Sequence, residues 1–237
     1  MARTSPSDRR AIVATRRRRP VLGAEAIVDV ALRLVDTEGV DAVTMRRVAA
    51  EFDTGPASLY AYFPHKEALL AAVLTRVLEE IPVPTGNGWQ DLLRRHMHTT
   101  RDVFARHRDV ARLSFGTVPT GEHFVDIAEA LLAGLLAGGV PAQVAAWAMD
   151  VGALYVAADA FEGYLQGQMF DDGSGRPPEE VGMEFYAGFA DAMRALPPSR
   201  YPAITGHVDE LVSGDGDDRF GFGVDMFIAG IAAQIPR

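Results

Sequence analysis

Apolar residues recur with the period of an α-helix along most of the chain. Ile27, Val30, Ala31, Leu34 and Val35 fall on one stripe, and Gly39 stops the helix that carries it. Thr44 is placed to cap a short second helix, with Val48, Ala49 and Phe52 turned inward. Asp53-Thr54-Gly55-Pro56 reads as a turn, and Pro56 suits the first position of a third helix running to residue 62, which Pro64 ends. A fourth helix spans residues 66–80. The segment 81–88, Ile-Pro-Val-Pro-Thr-Gly-Asn-Gly, is the clearest linker. Beyond it the same period predicts helices over 89–107, 109–115, 122–137, 142–168, 179–196 and 217–234, with polar Gly/Pro-rich loops at 171–178 and 197–216. No strand alternation, internal repeat or heptad array interrupts this pattern, so the expected fold is all-α.

The front of the chain has a particular geometry. A helix, a tight turn and a short second helix, packed on a preceding amphipathic helix, form a helix-turn-helix unit. Its use is to set one helix into a DNA major groove, about 12 Å wide, with that helix's first residues against the base edges. Leu59 and Phe63 would face the core, leaving Pro56, Ala57, Ser58, Tyr60, Ala61 and Tyr62 outward. The predicted organisation is a disordered basic arm at 1–20, a three-helix DNA-binding domain at 21–72, and a larger helical ligand-binding and dimerisation domain at 73–237.

Charge agrees with that division. The formal net charge of −9 is unusual for a DNA binder, but residues 1–66 hold 11 Lys and Arg against 8 Asp and Glu, and the rest hold 12 against 24. A basic end joined to an acidic body keeps phosphate at one end. The absence of cysteine excludes disulfides and thiolate metal sites. The longest apolar candidate for a membrane span is interrupted by Pro141, Asp150 and Asp159, and residues 1–20 lack a signal peptide's apolar stretch. A cytoplasmic protein without membrane partners is expected.

Three segments carry a resemblance. Thr44-Met45-Arg46-Arg47-Val48-Ala49, Ser58-Leu59-Tyr60-Ala61-Tyr62-Phe63 and Lys66-Glu67-Ala68-Leu69-Leu70 together resemble the N-terminal domain of the TetR family of transcriptional regulators. The resemblance implies that Arg46 contacts a base or phosphate, that Pro56, Ala57, Ser58 and Tyr60 face the groove, and that Tyr62 and Lys66 bind phosphates. It also implies that Thr44 touches the DNA backbone while capping its helix. The arginines at 16–19 could enter an adjacent minor groove. Plainer roles remain open: Tyr62 as a cover for the core, Lys66 as the partner of a helix carboxylate.

The body resembles tetracycline repressors at Trp89-Gln90-Asp91-Leu92-Leu93-Arg94, His107-Arg108-Asp109 and Gly116-Thr117-Val118-Pro119-Thr120. This implies a homodimer in which the helices at 142–168 and 217–234 form a four-helix bundle with their symmetry mates. The apolar stripe Phe220, Val224, Phe227, Ile228 and Ile231 fits such a helix. Two heads would read a palindromic operator on double-stranded DNA. Where the family places polar and metal-binding pocket residues, this chain has His96, Thr100, Ser114 and Ala130. A serine hydroxyl is a poor substitute for the imidazole that would hold drug-bound magnesium, so no metal or other cofactor is expected. The expected inducer is a largely apolar small molecule, in a pocket lined by His96, Thr100, Ser114, Phe115, Pro119, Ala130, Met149 and Ala153. Ordinary core packing remains the alternative for each of these residues.

The implied mechanism is a repressor released from its operator by ligand, with the segment 109–115 as transmitter between pocket and fourth helix. Two other classes fit less of the pattern. A regulator that ignores small molecules, or answers to a protein partner, would share the head. A helical enzyme would need a catalytic set, and the nearest candidate, His96-x-His98 with Asp102, puts only His98 and Asp102 on one helix face. No catalytic residue is assigned. Asp215-Gly216-Asp217-Asp218 reads as a helix cap, and Gly221-x-Gly223 follows no strand.

Overall fold

The computed structural model describes residues 21–117, 119 and 121–236; the arm at 1–20, with its arginines at 16–19, lies outside them. Among the described residues there is no β-strand, and the fold is all-α.

The head begins with α1, Ala24–Glu38, whose stripe of Ile27, Val30, Ala31, Leu34 and Val35 is buried as the periodicity requires. Gly39, at φ 90°, turns the chain, and its N–H closes on the Val35 carbonyl at 2.8 Å. A 3₁₀ turn, Val40–Ala42, leads to α2, Met45–Glu51, where the Thr44 hydroxyl accepts from the Arg47 N–H at 3.1 Å. The next helix, α3, is Lys66–Leu78.

Between α2 and α3 the structure departs from expectation. Residues 56–62 form a 3₁₀ turn at Pro56–Ser58 followed by further turns, with the Tyr62 and Phe63 amides both bonded to the Leu59 carbonyl. Pro56 and Pro64 bracket a stretch too short to repay helix nucleation, and the residue before a proline is steered away from helical angles.

The body comprises α4 Trp89–Ala105, α5 Glu122–Ala137, α6 Ala142–Phe170, α7 Pro178–Arg194, α8 Pro202–Gly206, α9 Val208–Val212 and α10 Gly216–Ala232. α4 and α6 pack against each other, flanked by α5 and α10, while α3 packs on α1, α4 and α5. The predicted helix at 109–115 is a 3₁₀ turn, Val110–Ser114, and the predicted loop at 197–216 contains α8 and α9. The Asp215 cap is a full capping box with Asp218. Arg101 joins three helices: it pairs with Asp159 on α6 and Asp217 on α10, and lies 4.6 Å from the centre of the Phe220 ring. Gly138 ends α5 hard against Trp89; a Cβ there would fall 2.0 Å from the indole Cδ1, so only glycine lets Trp89 bury.

One packing expectation needs correcting. Phe220, Val224, Ile228 and Ile231 are buried within the chain, against α4 and α6, and Phe227 is half-buried. The apolar face left open belongs to other residues, including Trp147 (66% exposed) and Val151 on α6 and Phe222 (67%) and Met226 on α10. α6 meets the length and composition of a membrane span, with mean hydropathy 1.3. Its Gly152, Val156, Ala157 and Ala160 are buried, and its Asp159 is ion-paired to Arg101.

Candidate nucleic-acid interface and ligand cavity

In the head, the residues expected to face outward are exposed or half-buried. Leu59 is fully buried and anchors the turn, while Tyr60 and Tyr62 are 51% and 43% exposed. Ala57 and Ala61 are exposed, and Pro56 and Ser58 half-buried; the Ser58 hydroxyl lies 2.7 Å from that of Thr54. Thr44 and Arg46 are exposed at the start of α2, and Arg47 is tied to Glu38. The left-handed residue of the turn is Asp53, at φ 58°, and not Gly55, which is extended. Lys66 is the first residue of α3. The preceding His65 caps that helix, its Nδ1 accepting from the Ala68 N–H at 3.1 Å. Histidine is outside the usual capping set, so the sequence carried little signal for this role.

A cavity of about 300 Å³ opens between α4, α5 and α6. His96 and Thr100 from α4, Met149 and Ala153 from α6, and Ser114 and Pro119 from the loop between α4 and α5 all line it. Phe115 and Ala130, assigned to the pocket from the sequence, do not line it. Phe115 is exposed and meets the Phe161 ring at an angle, centroids 6.4 Å apart. On α5 the lining residues are Phe124, Ile127, Ala128 and Leu131. Ala130 is one residue from Leu131 and so about 100° further round the helix. Leu78 and Ile81, at the end of α3, close one side. Their signal lay in the periodic pattern itself, which reads equally well as core.

The cavity is apolar except at a few points. His96 Nδ1 and Thr100 Oγ1 are buried and have no hydrogen-bond partner among the described residues. Burial pushes the His96 imidazole down to about 4, so the ring is neutral near pH 7. Asp150 is the one charged residue among the described lining. No cluster of three His, Asp or Glu able to hold a metal ion occurs among the described residues. His98 does not pair with Asp102 but packs edge-on against Phe220, centroids 5.0 Å apart.

A helix-turn-helix head joined to a helical body with a largely apolar cavity fits one class of protein: the one-component regulator. Residues 27–73 match the family of bacterial regulatory proteins named after TetR, and residues 81–235 match the tetracyclin repressor-like C-terminal domain. The chain belongs to the TetR family and is a DNA-binding transcriptional repressor. It is 29% identical over 225 residues to the transcriptional repressor DrrR1 of Streptomyces coeruleorubidus, covering 92% of this chain and 80% of that protein. It is 29% identical to the class G tetracycline repressor of Vibrio anguillarum, over 86% of this chain and 90% of that one. The structure of ActR from Streptomyces coelicolor in complex with actinorhodin superposes with a TM-score of 0.80 at 31% identity, covering 92% of this chain and all of that one.

Proposed function

We propose that the chain acts as a cytoplasmic homodimer whose two heads bind a palindromic operator and are released by a largely apolar ligand held in the α4–α5–α6 cavity. The head would correspond to residues 21–72 and the sensing and dimerisation body to 73–237. Thr44, Arg46, Pro56, Ala57, Ser58, Tyr60, Tyr62 and Lys66 would meet the DNA. Tyrosine hydroxyls and Lys66 suit phosphate, and the small residues of the turn permit close approach to base edges. The open face of Trp147, Val151, Phe222 and Met226 would pair with its symmetry mate, giving the spacing of about 34 Å that two half-sites one helical turn apart require.

The observation that carries the ligand reading is the pair His96 and Thr100. They stand four residues apart, on one face of α4, and both present buried, unpaired polar atoms to an otherwise apolar space. A buried polar atom without a partner is costly, and a ligand with a hydroxyl or carbonyl edge would satisfy both. Ser114 offers a hydroxyl where a magnesium-bound drug would need an imidazole, which favours a ligand taken up without metal.

The test is operator binding by the purified dimer. A duplex carrying the palindrome upstream of its own gene is titrated by fluorescence anisotropy at several salt concentrations. Actinorhodin, the ligand in the ActR complex, and a dihydroxyanthraquinone are then added, with and without a chelator. The expected result is salt-sensitive binding, weakened by at least one compound whether or not chelator is present. Binding that ignores both compounds and a wider panel would favour a ligand-independent regulator, and no binding to any upstream duplex would end the reading.

A further inference from the structure

The imidazole of His107, in the turn after α4, stands between two carboxylates from different parts of the molecule. Its Nδ1 lies 2.8 Å from Asp36 Oδ1 on α1, in the head, and its Nε2 lies 3.0 Å from Glu80 Oε1, just beyond α3. The residue is 8% exposed. Both carboxylates accept only, so the ring makes both bonds when each nitrogen carries a hydrogen. Glu80 is further held by Arg106 at 2.8 Å. Burial opposes its charge, but the Arg106 hydrogen bond and His107 outweigh that and keep its carboxyl below the usual range.

Glu80 is flanked by the cavity wall. Leu78 and Ile81, two residues before it and one after, both line the ligand space. The end of α3 therefore presents apolar side chains to the cavity and a carboxylate to His107. The same corner of the head is gripped twice more from the body. The Asp109 carboxylate accepts from the Val40 N–H, and Arg112 pairs with Asp41 and Asp109. The turn that carries Arg112 ends at Ser114, again a cavity residue.

From this arrangement, and resting on the ligand-responsive reading above, we infer that His107 is a positioning residue that carries cavity occupancy to the DNA-reading head. A ligand that displaces Leu78 and Ile81 moves Glu80. His107, bonded on its other side to Asp36, passes the movement to the end of α1 and so to the corner that orients α2. Apolar packing of α3 on α1 tolerates sliding, whereas a ring bonded on both edges transmits direction.

The experiment compares wild type, His107→Gln and Asp36→Asn. Anisotropy on the operator duplex is read with and without whichever of actinorhodin or dihydroxyanthraquinone binds the wild type, and calorimetry reads binding of that compound separately. In wild type the compound weakens operator binding about tenfold or more, while both variants bind compound and free operator within about threefold of wild type yet show release below about threefold. Asp36→Asn, at a partly exposed carboxylate, serves if His107→Gln does not fold. Equal release in wild type and variants overturns the inference and leaves the ligand reading standing. Should wild type bind neither compound, the ligand reading alone suffers, and Ala128→Phe, which fills the cavity without ligand, decides the inference. It is upheld if that substitution weakens operator binding in wild type and not beside His107→Gln. It falls if the substitution acts equally in both or in neither.

Discussion

The Asp109 carboxylate accepts a hydrogen bond of 2.9 Å from the Val40 backbone N–H across the boundary between body and head, beside a Gly39 held at φ 90°. A Cβ on Gly39 would sit 3.3 Å from Asp109 Oδ1, in a conformation that side chains rarely adopt. Gly39→Ala should cost about 1–3 kcal/mol of stability from backbone strain. Asp109→Ala should cost a similar amount, about 1–3 kcal/mol, by orphaning a buried N–H, whereas Asp109→Asn keeps an acceptor and should recover most of it. Urea denaturation of the three variants checks the ranking; an Asn variant no better than Ala would contradict the hydrogen-bond account.

His96 gives stability a pH dependence of known sign. Burial lowers its folded pKa from 6.5 to about 4, so above 6.5 the ring is neutral in both states and adds no slope. Between those values the unfolded chain takes up a proton that the folded chain refuses, and stability falls as pH drops. From about pH 7 to about pH 5 this group should remove about 2 kcal/mol. His96→Leu should flatten that part of the profile, as read by chemical denaturation at both pH values.

Thr100 separates stability from recognition. Its unpaired hydroxyl is buried, so Thr100→Val should leave the unliganded protein as stable or up to about 1 kcal/mol more stable. If the ligand bonds that hydroxyl, the same change should weaken ligand binding about fivefold, measured by calorimetry. Loss of stability with unchanged ligand affinity would place the hydroxyl in the core's service instead.

Lys66 is the single lysine of the chain, beside 22 arginines. An amine-reactive acylating reagent should therefore modify one lysine, and operator duplex should protect it. Lys66→Gln should weaken operator binding uniformly across sequences and reduce the salt slope by about 1. Mass spectrometry of the acylated protein, with and without duplex, gives the first result, and anisotropy against salt gives the second.

The proposed dimer pairs through the open faces of α6 and α10. Trp147→Glu and Phe222→Glu, at residues 66% and 67% exposed in the single chain, should leave the fold intact. They should shift sedimentation toward monomer and, by splitting two linked heads, lower operator affinity at least about a hundredfold. A monomeric wild type, or a Glu variant that remains dimeric, would move the interface elsewhere.

Much of the architecture was legible along the chain because it rests on local chemistry. Ile27 to Val35 repeat at helical spacing and bury a face, Thr44 caps by reaching its own helix, and Asp215 and Asp218 cap each other within four residues. The head's surface was legible for the same reason: Leu59 must go in, which sends Tyr60 and Tyr62 out. The segment 56–62 is a turn and not the expected helix, because composition marks a helix start but not whether enough residues follow to propagate it. Leu131 lines the pocket and its neighbour Ala130 does not, because the face a helix turns to a cavity is set by packing against other helices.

By itself, the order of residues determined most of the helices and caps and the outward face of the turn at 56–62, since each depends on neighbours within a turn or two. The tertiary structure alone decided which apolar stripe of α10 turns inward, that two polar atoms of α4 would meet an apolar void, and that His107 would lie between Asp36 and Glu80. Those outcomes depend on which helices come to lie side by side. Burial and desolvation at such contacts are properties of packed surfaces, and the periodicity of a single helix does not contain them.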